Sequence, residues 1–401
     1  MNTSPELSKG TLNAAILAGC VVAFLGFGFS ASFGVFMRPM SADLGWGREI
    51  FSLSVAIQAL CWGLAQPFAG MVADRYGTAR VLAFGAVTAA VGFFLRGYVI
   101  SPEIFVFSGV IVGIGTGACS FPIVIIALGK VVTAKQRSFV MGLGTASASF
   151  GMFAAAPISQ AMIGWFGWQQ SILLISISFL LILPFLIAVA CISSPTASAK
   201  GARDFGVAIK SAFQDRSYLC LFFGFFVCGF HVAFIGTHLP AYVGDIGLAA
   251  TVGGWSLALI GLFNIAGSFA SGWSGQKFSK KWVLSGIYTT RAIVITLFIL
   301  APASANSVYL FSAAMGLLWL STVPLTMGLV AQTQGLTFLS TLAGLVFFSH
   351  QFGSFLGAWL GGRIYDIYQD YTPMWWAAIV LGLIAAMFHI PIRENTESQA
   401  V

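Results

Sequence analysis

Residues 70–80 read Gly-Met-Val-Ala-Asp-Arg-Tyr-Gly-Thr-Ala-Arg and lie between two long apolar runs. The first run begins near Phe51, and the second begins at Val81. Two glycines at this place predict a tight turn, because glycine tolerates close approach and backbone angles that other residues avoid. Asp74 and Arg75 would then lie at the water boundary, where a charge costs far less than in the middle of a bilayer. The stretch therefore predicts two membrane helices joined by a charged connection.

A second version of this stretch lies in the other half of the chain. It reads Gly-Trp-Ser-Gly-Gln-Lys-Phe-Ser-Lys-Lys over residues 272–281, again between two apolar runs. Its glycine and cation follow those of the first copy by 202 positions (272 minus 70 and 277 minus 75) in a chain of 401 residues. A connection repeated after half the chain indicates two homologous halves.

The composition of the chain is that of an integral membrane protein. Hydrophobic residues make up 58% of it and charged residues only 8%, whereas a soluble domain carries about 25% charged residues. The net charge of +7 predicts no nucleic-acid partner, because the cations lie in short connections between apolar runs and form no stripe. The sequence shows no nucleophile–base pair and no set of metal ligands, so we expect neither an enzyme nor a cofactor.

Twelve apolar runs are long enough to cross a bilayer, for which a helix needs about 20 residues. In the first half they cover 13–37, 50–72, 80–99, 104–129, 139–163 and 169–192. In the second half they cover 218–242, 250–273, 282–301, 306–330, 337–360 and 373–391. The pattern predicts an all-α membrane protein with twelve transmembrane helices in two pseudo-symmetric six-helix bundles.

The domain boundaries follow from these runs. We expect an N-terminal bundle over 1–192, a central cytoplasmic loop over 193–217, and a C-terminal bundle with a short tail over 218–401. Within the loop, apolar residues recur at helical spacing and predict a short amphipathic helix on the membrane surface; they are Phe205, Ile209, Ala212 and Phe213.

The distribution of Lys and Arg predicts the orientation. Fourteen of these cations fall in the terminal segments and the even-numbered connections, and four (Arg38, Arg48, Arg96 and Arg363) fall on the other face. Cytoplasmic connections carry the excess of positive residues. Both termini are therefore expected in the cytoplasm, and the protein itself in the cytoplasmic (inner) membrane.

Residues 70–80 resemble the connection between the second and third spans of the major facilitator superfamily of transporters. The resemblance implies alternating access between two bundles, with a substrate site near the middle of the membrane. It also implies a conformational latch on the cytoplasmic side. Because Gln276 replaces the acid in the second copy, we expect the latch there to be weaker. The latch residues would be Gly70, Asp74, Arg75, Gly77 and Arg80, with Gln276 and Lys277 in the second copy.

Two histidines on the seventh predicted span are candidates for substrate binding. His231 and His238 are seven residues apart, nearly two helical turns, so both rings would point to one face about 10 Å apart. The resemblance implies that the first, fourth, seventh and tenth spans line the central cavity, which would place this face toward the substrate. The alternative is that both rings bond to neighbouring carbonyl groups and serve only packing.

Arg291 is the cation predicted nearest the middle of a span, the ninth. A buried arginine can hold an anionic substrate through two hydrogen bonds. The family resemblance, however, implies that ninth spans pack on the outside of the bundle. The alternative is a structural arginine that bonds to carbonyl groups or extends its charge toward the interface.

Other polar residues at predicted mid-membrane depth complete the candidate substrate-binding set. They can bond between helices, which is worth roughly 0.6 kcal/mol on average, or contact substrate. Pro324 on the tenth span predicts a hinge that frees a backbone carbonyl. The candidates are Gln58, Asn264, Trp319, Thr322, His350 and Gln351. Gly353, Gly357 and Gly361 follow at every fourth position and predict a flat, closely packed helix face.

Several stretches resemble the bacterial branch near the monocarboxylate transporters and oxalate–formate antiporters. They are residues 33–40, 44–46, 261–264 and 361–366, followed by Tyr371. The resemblance implies transport of a small organic anion, with a proton or by exchange. One departure concerns the eighth span, where members carry an arginine that pairs with the substrate carboxylate. Here residues 251–273 contain no cation, and Asn264 is the most polar candidate.

The function expected from these observations is secondary active transport of a small organic acid by alternating access, coupled to protons as a symporter. Because Asp and Glu fall only in tails, connections and span ends, histidine is the candidate proton carrier. The alternatives are an exporter of amphipathic or drug-like compounds and an anion exchanger. A receptor or scaffold is disfavoured, since the sequence shows no appended soluble domain. The expected partners are a small molecule and the lipid bilayer, and the expected state is a monomer.

Overall fold

The computed structural model describes residues 9–98, 101–120, 123–124, 134–190, 202–335 and 338–394. These residues form α-helices joined by short turns, with one 3₁₀ turn at Phe33–Phe36 and no β-strand. The predicted all-α class is confirmed. The predicted loop cations Lys130 and Lys200 lie outside the described residues.

Seven α-helices lie in the first half of the chain and eight in the second, counted over the described residues. The first seven are α1 (Lys9–Ala31), α2 (Met37–Leu44), α3 (Arg48–Tyr76), α4 (Thr78–Gly97), α5 (Pro102–Ala118), α6 (Ala134–Leu180) and α7 (Ile182–Ala190). The others are α8 (Ala202–Gln214), α9 (Arg216–Asp245), α10 (Ala250–Lys277), α11 (Lys280–Leu300), α12 (Ala305–Leu318), α13 (Thr322–Gln334), α14 (Leu339–Tyr368) and α15 (Thr372–His389).

Each of the twelve predicted spans overlaps a helix, although the end of the fourth lies outside the described residues. Within the described chain, nine helical stretches are long and apolar enough to cross a membrane, and Pro102–Ala118 is a shorter apolar helix. One of the nine, Gly142–Ala190, is broken at Gly167, whose φ of 78° is left-handed. Glycine adopts this angle without steric cost, so the stretch contains both the fifth and the sixth predicted span.

The turn between α3 and α4 depends on one of its two glycines. Gly77 has a φ of 94°, a conformation that side chains with a Cβ disfavour. Gly70 lies nearly two turns earlier, inside α3, where an added Cβ would meet nothing within 4 Å. The expectation that Gly70 shapes the turn is therefore wrong. In the second copy, Phe278 joins α10 to α11 with an extended backbone (φ −121°), which needs no glycine.

The chain forms two compact units that do not follow the sequence halves. The first contains residues 1–33 and 61–198, and the second contains 34–60 and 199–401. Helix α3 thus contributes its first thirteen residues, 48–60, to the second unit and the rest to the first. The expected bundle boundaries at 193–217 remain a prediction. The contacts place 34–60 in the second unit.

In the first unit, α4 packs against α5 and α6, and α1 packs against α6. Arg96, which the sequence analysis assigned to an outer connection, lies in the last turn of α4 and is fully buried. Its Nε donates to Ser108 Oγ at 3.2 Å, and its guanidinium lies 4.6 Å from the centre of the Phe33 ring. A cation over an aromatic face is attracted to the ring quadrupole, which explains why this arginine is tolerated inside.

In the second unit, α9 packs most extensively against α14. A Cβ added at Gly353 or Gly357 would collide with the backbone of α9, and one added at Gly361 would collide with the His238 ring. The flat, closely packed face predicted for α14 is confirmed. The predicted amphipathic helix is present as α8: Ala212 is fully buried, and Phe213 contacts the Phe222 ring at 5.4 Å between centroids.

Candidate functional site

The tenth predicted span is interrupted, and the interruption organises the polar interior of the second unit. Helix α12 ends at Leu318, and α13 begins at Thr322, with Pro324 in its first turn. A proline is tolerated in the first turn because the N–H that it lacks would have no helical partner there. The break leaves backbone groups that water cannot reach, and in a membrane protein these groups need internal partners.

Side chains from two other helices supply these partners. Arg291 of α11 donates through Nη2 to the carbonyl oxygens of Leu318 and Trp319, at 2.5 Å each. Asn264 of α10 accepts the backbone N–H of Leu320 through Oδ1 at 3.0 Å. The bonding of Arg291 is the arrangement that the structural alternative for this residue predicts.

Arg291 nevertheless retains unused hydrogen-bonding capacity. Its side chain is fully buried, and neither Nε nor Nη1 has a hydrogen-bond partner. Its guanidinium lies 5.3 Å from the centre of the Tyr288 ring, and the described residues provide no acidic partner for it. A buried charge without an opposite charge is costly, so this position favours the arrival of an anion.

Cys228 and Thr322 lie at the same break. Cys228 Sγ is 3.2 Å from Thr322 Oγ1 and 3.9 Å from the carbonyl oxygen of Trp319, the same oxygen that Arg291 contacts. Thr322 and Trp319 are both buried. The predicted candidates Arg291, Trp319 and Thr322 therefore belong to one cluster. Sequence analysis did not identify Cys228 as a site residue.

His231 approaches this cluster from α9. Its Nε2 lies 2.8 Å from the carbonyl oxygen of Ala378, which can only accept, so Nε2 carries the proton. Its Nδ1 is buried and has no partner, and the charge of Arg291 acts on this ring. The second nitrogen is therefore a buried acceptor without a partner, and the Arg291 charge reaches it.

The remaining candidates lie in the same unit. His350 Nδ1 is 3.1 Å from Gln351 Oε1, and the His350 ring stacks on Phe347 at 5.7 Å between centroids. Gln351 Nε2 is buried without a partner. Gln58 is buried on α3. Whether these side chains contact substrate remains a prediction.

His238 is fully engaged by protein groups. Its Nε2 lies 2.8 Å from the carbonyl oxygen of Ala358, and its Nδ1 lies 3.0 Å from Tyr371 Oη. Because the carbonyl only accepts, Nε2 is protonated and Nδ1 accepts the Tyr371 hydroxyl proton. These are contacts of the kind that the packing alternative predicts, and they place His238 in a different network from His231.

That network continues to a charged cluster at the start of α3. Arg48 Nη1 donates to Tyr371 Oη at 2.9 Å. Its guanidinium also forms two parallel bonds to the Asp245 carboxylate, at 2.6 and 2.7 Å, and stacks 3.6 Å from the centre of the Tyr365 ring. Bidentate pairing of this kind is the strongest geometry available to an arginine and a carboxylate.

A second attachment lies beside the first. The Asp366 carboxylate accepts the backbone N–H groups of Arg48 and Glu49, at 2.9 and 2.8 Å. These are first-turn amides, which have no partner within their own helix. The Glu49 carboxylate accepts from Trp359 Nε1 and from Arg363 Nη1, both at 3.0 Å. Helix α3 is thus tied to α9 through Arg48 and to α14 through both residues.

Sequence analysis counted Arg48 and Arg363 only as cations of the outer face and did not identify this cluster. A signal was present, because two of the stretches that resemble the organic-anion branch flank it. Residues 44–46 precede Arg48, whereas 361–366 and Tyr371 supply its partners. The Tyr371 hydroxyl stays protonated at neutral pH, since burial raises the pKa of Tyr371 although the Arg48 charge opposes that shift.

The predicted latch residues lie where α3 meets α4 and where α10 ends. Arg75 and Arg80 are exposed, and Arg80 Nη1 donates to the carbonyl oxygen of Tyr76 at 3.4 Å. The side chain of Asp74 lies outside the described part of the structure. Gln276 is an exposed residue of α10, and Lys277 Nζ lies 4.5 Å from the centre of the Trp273 ring. Their action as a latch remains a prediction.

This chain resembles known proteins along most of its length. The model of the Major Facilitator Superfamily matches residues 19–333 and, in a second match, 221–400. The chain is 27% identical over 414 residues to the uncharacterized MFS-type transporter YcxA of Bacillus subtilis, with 100% of this chain and 98% of the relative covered. It is 26% identical over 375 residues to monocarboxylate transporter 13 of Rattus norvegicus, covering 89% of this chain and 83% of the relative.

The fold has solved counterparts. The crystal structure of a bacterial homolog of the human lysosomal transporter Spinster, in an inward-facing and unoccupied conformation, superimposes with a TM-score of 0.74. Sequence identity is 13%, and the alignment covers 96% of this chain and 97% of the other. At this identity the similarity concerns the fold alone.

Proposed function

Because the chain belongs to the major facilitator superfamily of transporters, we propose that it carries a small organic anion across the cytoplasmic membrane by alternating access. The relative of similar length that is named a monocarboxylate transporter supports this substrate class. The excess of Lys and Arg in the even-numbered connections supports cytoplasmic termini.

The observation that carries the proposal is the unused capacity of Arg291. Its guanidinium is fully buried, has no acidic partner among the described residues, and leaves Nε and Nη1 without acceptors. An arriving carboxylate would supply the missing charge and the missing acceptor together. In this chain, an arginine of α11 would thus take the role of the eighth-span arginine that the resemblance to the organic-anion branch implies, since residues 251–273 contain no cation.

Proton coupling fits the same interior. The unused acceptor of His231, its Nδ1, is buried under the influence of Arg291. A bound anion would favour the charged imidazolium, so the anion and a proton would enter together as a neutral pair. Uptake is therefore expected to accelerate when the outside is acidic.

A test of the site uses purified protein in proteoliposomes supplied with radiolabelled lactate or oxalate. We expect Arg291→Gln to raise KM about tenfold or more, since a hydrogen bond to a charged group is worth about 1.5–3 kcal/mol. Arg291→Lys, which keeps the charge, should retain part of the affinity. Arg216→Gln, at an exposed arginine, is the matched control. Unchanged KM in folded Arg291→Gln protein would contradict the proposed anion site.

The coupling mode is decided in the same vesicles. Symport predicts accumulation driven by an imposed pH gradient. Uptake that ignores the gradient but requires internal counter-substrate would instead establish exchange. Stabilisation of the purified protein by hydrophobic cations, with none by organic acids, would favour the exporter of amphipathic compounds, because a ligand of the native state raises its apparent stability.

A further inference from the structure

We propose that His238, Tyr371 and Arg48 form a proton-responsive latch that fastens the start of α3 to α9 and to the turn before α15. The role assigned to this latch rests on the proposed transport function, since its release would open the face predicted to lie outside the cell. The latch itself consists of contacts among residues 34–60 and 199–401, all within one unit.

The closed latch requires a neutral His238. Nε2 donates to Ala358, so Nδ1 can only accept, and at 3.0 Å it is a better acceptor for the Tyr371 hydroxyl proton than Met37 Sδ at 3.8 Å. The Tyr371 oxygen in turn accepts from Arg48. A second proton would turn Nδ1 into a donor. The Tyr371 oxygen would then face two cations, with its own hydroxyl hydrogen directed elsewhere.

The groups around the His238 ring do not compensate the positive charge that a second proton would add. His238 is almost fully buried. Helix α14 presents a carbonyl oxygen to it, the turn before α15 presents the Tyr371 hydroxyl, and α3 presents Arg48, whose positive charge acts on the ring.

The nearby acids are already engaged. Asp245, at the end of His238's own helix, is paired on both oxygens with Arg48. Asp366 and Glu49 are engaged with the first turn of α3, Trp359 and Arg363. Like charges nearby disfavour the charged form.

Protonation is therefore linked to release. The closed latch excludes one proton that the open, hydrated histidine accepts, so its stability is present at high pH and declines as the pH falls. For an exposed imidazole that titrates near pH 6.5, the closed-to-open ratio should fall about tenfold between pH 7.5 and 5.5. An acidic exterior would thus open the outer face, and proton loss would close it again.

Two backbone amides report the latch directly. The N–H groups of Arg48 and Glu49 are bonded to Asp366 and, as first-turn amides, have no helical acceptor. Hydrogen–deuterium exchange of the full-length protein in lipid nanodiscs, corrected for intrinsic rates, measures their protection at both pH values. We expect the wild-type protection to fall about tenfold from pH 7.5 to pH 5.5.

Variants assign the response to the proposed groups. His238→Gln keeps one donor and one acceptor but does not titrate, so its protection should not change with pH. Tyr371→Phe cuts the link between the ring and Arg48 and should give an equally flat response. His389→Gln, at a buried histidine of α15 whose Nδ1 bonds to the carbonyl oxygen of Ala385 and which belongs to neither proposal, should retain the wild-type response. Asp245→Asn should lower protection at both pH values.

The outcomes are separable from those of the transport proposal. Equal wild-type protection at both pH values would overturn the latch, and so would a full pH response in folded His238→Gln or Tyr371→Phe protein. A pH response that is lost in these variants, in a protein that moves neither lactate nor oxalate, would support the latch and refute the substrate assignment.

Discussion

At Gly47, an added Cβ would overlap the Asp366 carboxylate that receives the Arg48 and Glu49 amides. We expect Gly47→Ala to displace the carboxylate and to lower the free energy of unfolding by about 1–3 kcal/mol, the cost of leaving such groups unsatisfied. Thermal unfolding of the purified variant measures the loss. Gly286→Ala is the control, since a Cβ there meets nothing within 4 Å, and a comparable loss in that variant would refute the explanation.

Individual residues show how far sequence reasoning reaches. Arg291 was identifiable because a cation inside an apolar run is rare. Its hydrogen bonds to the carbonyl oxygens of Leu318 and Trp319 could not be predicted, since nothing in the ninth span indicates that the tenth is interrupted where the two helices meet. Arg96 and Arg48 were taken for boundary cations, because both lie at the end of an apolar run. Their burial depends on rings and carboxylates from distant segments, for which hydropathy carries no signal.

Among the elements, α14 supports a direct test of helix packing. Gly357 faces the backbone of Phe230 on α9 so closely that a methyl group has no room, whereas Gly344 on the same helix has open space around it. Gly357→Ala should therefore separate the two helices and lower the free energy of unfolding by about 1–3 kcal/mol, as overpacking does. Gly344→Ala should leave it unchanged or raise it slightly. Equal thermal midpoints for the two variants would show that the α9–α14 contact is not close.

Element positions were largely predictable, and element breaks were not. Each span predicted from hydropathy overlaps a helix in the described residues, because lipid requires about 20 apolar residues in each membrane helix. The interruption between α12 and α13 was indicated only by Pro324, and its extent depends on Asn264 and Arg291 accepting and donating at the freed backbone groups. Such breaks follow from tertiary partners, which a single apolar run does not reveal.

For the whole molecule, the predicted cytoplasmic latch leads to a transport experiment. We expect Asp74→Asn to impair uptake while leaving membrane insertion intact, because it removes one negative charge and almost no apolar packing. Uptake at matched surface expression measures the effect, with Asp43→Asn, an exposed acid on α2, as the control. Wild-type rates in the Asp74 variant would exclude a latch that depends on this carboxylate.

The repeated connection at 70–80 and 272–281 predicted two homologous halves and indicated the family. It did not indicate that residues 34–60 pack with the second unit. Sequence repeats record ancestry, whereas these contacts depend on which polar ends meet in the folded chain. Arg48, Asp245 and Asp366 are each unremarkable boundary charges when they are considered alone.

The Asp366 carboxylate, which caps α3, also determines when during synthesis α3 can reach its final contacts. Asp366 lies 318 positions after Arg48, so the ribosome has made nine-tenths of the chain before this partner exists. Until then, the first turn of the second span to enter the membrane must rely on water or lipid headgroups for its amides. One of the earliest helices to be translated is therefore among the last to be secured, and a nascent chain that ends before α14 cannot assemble the second unit.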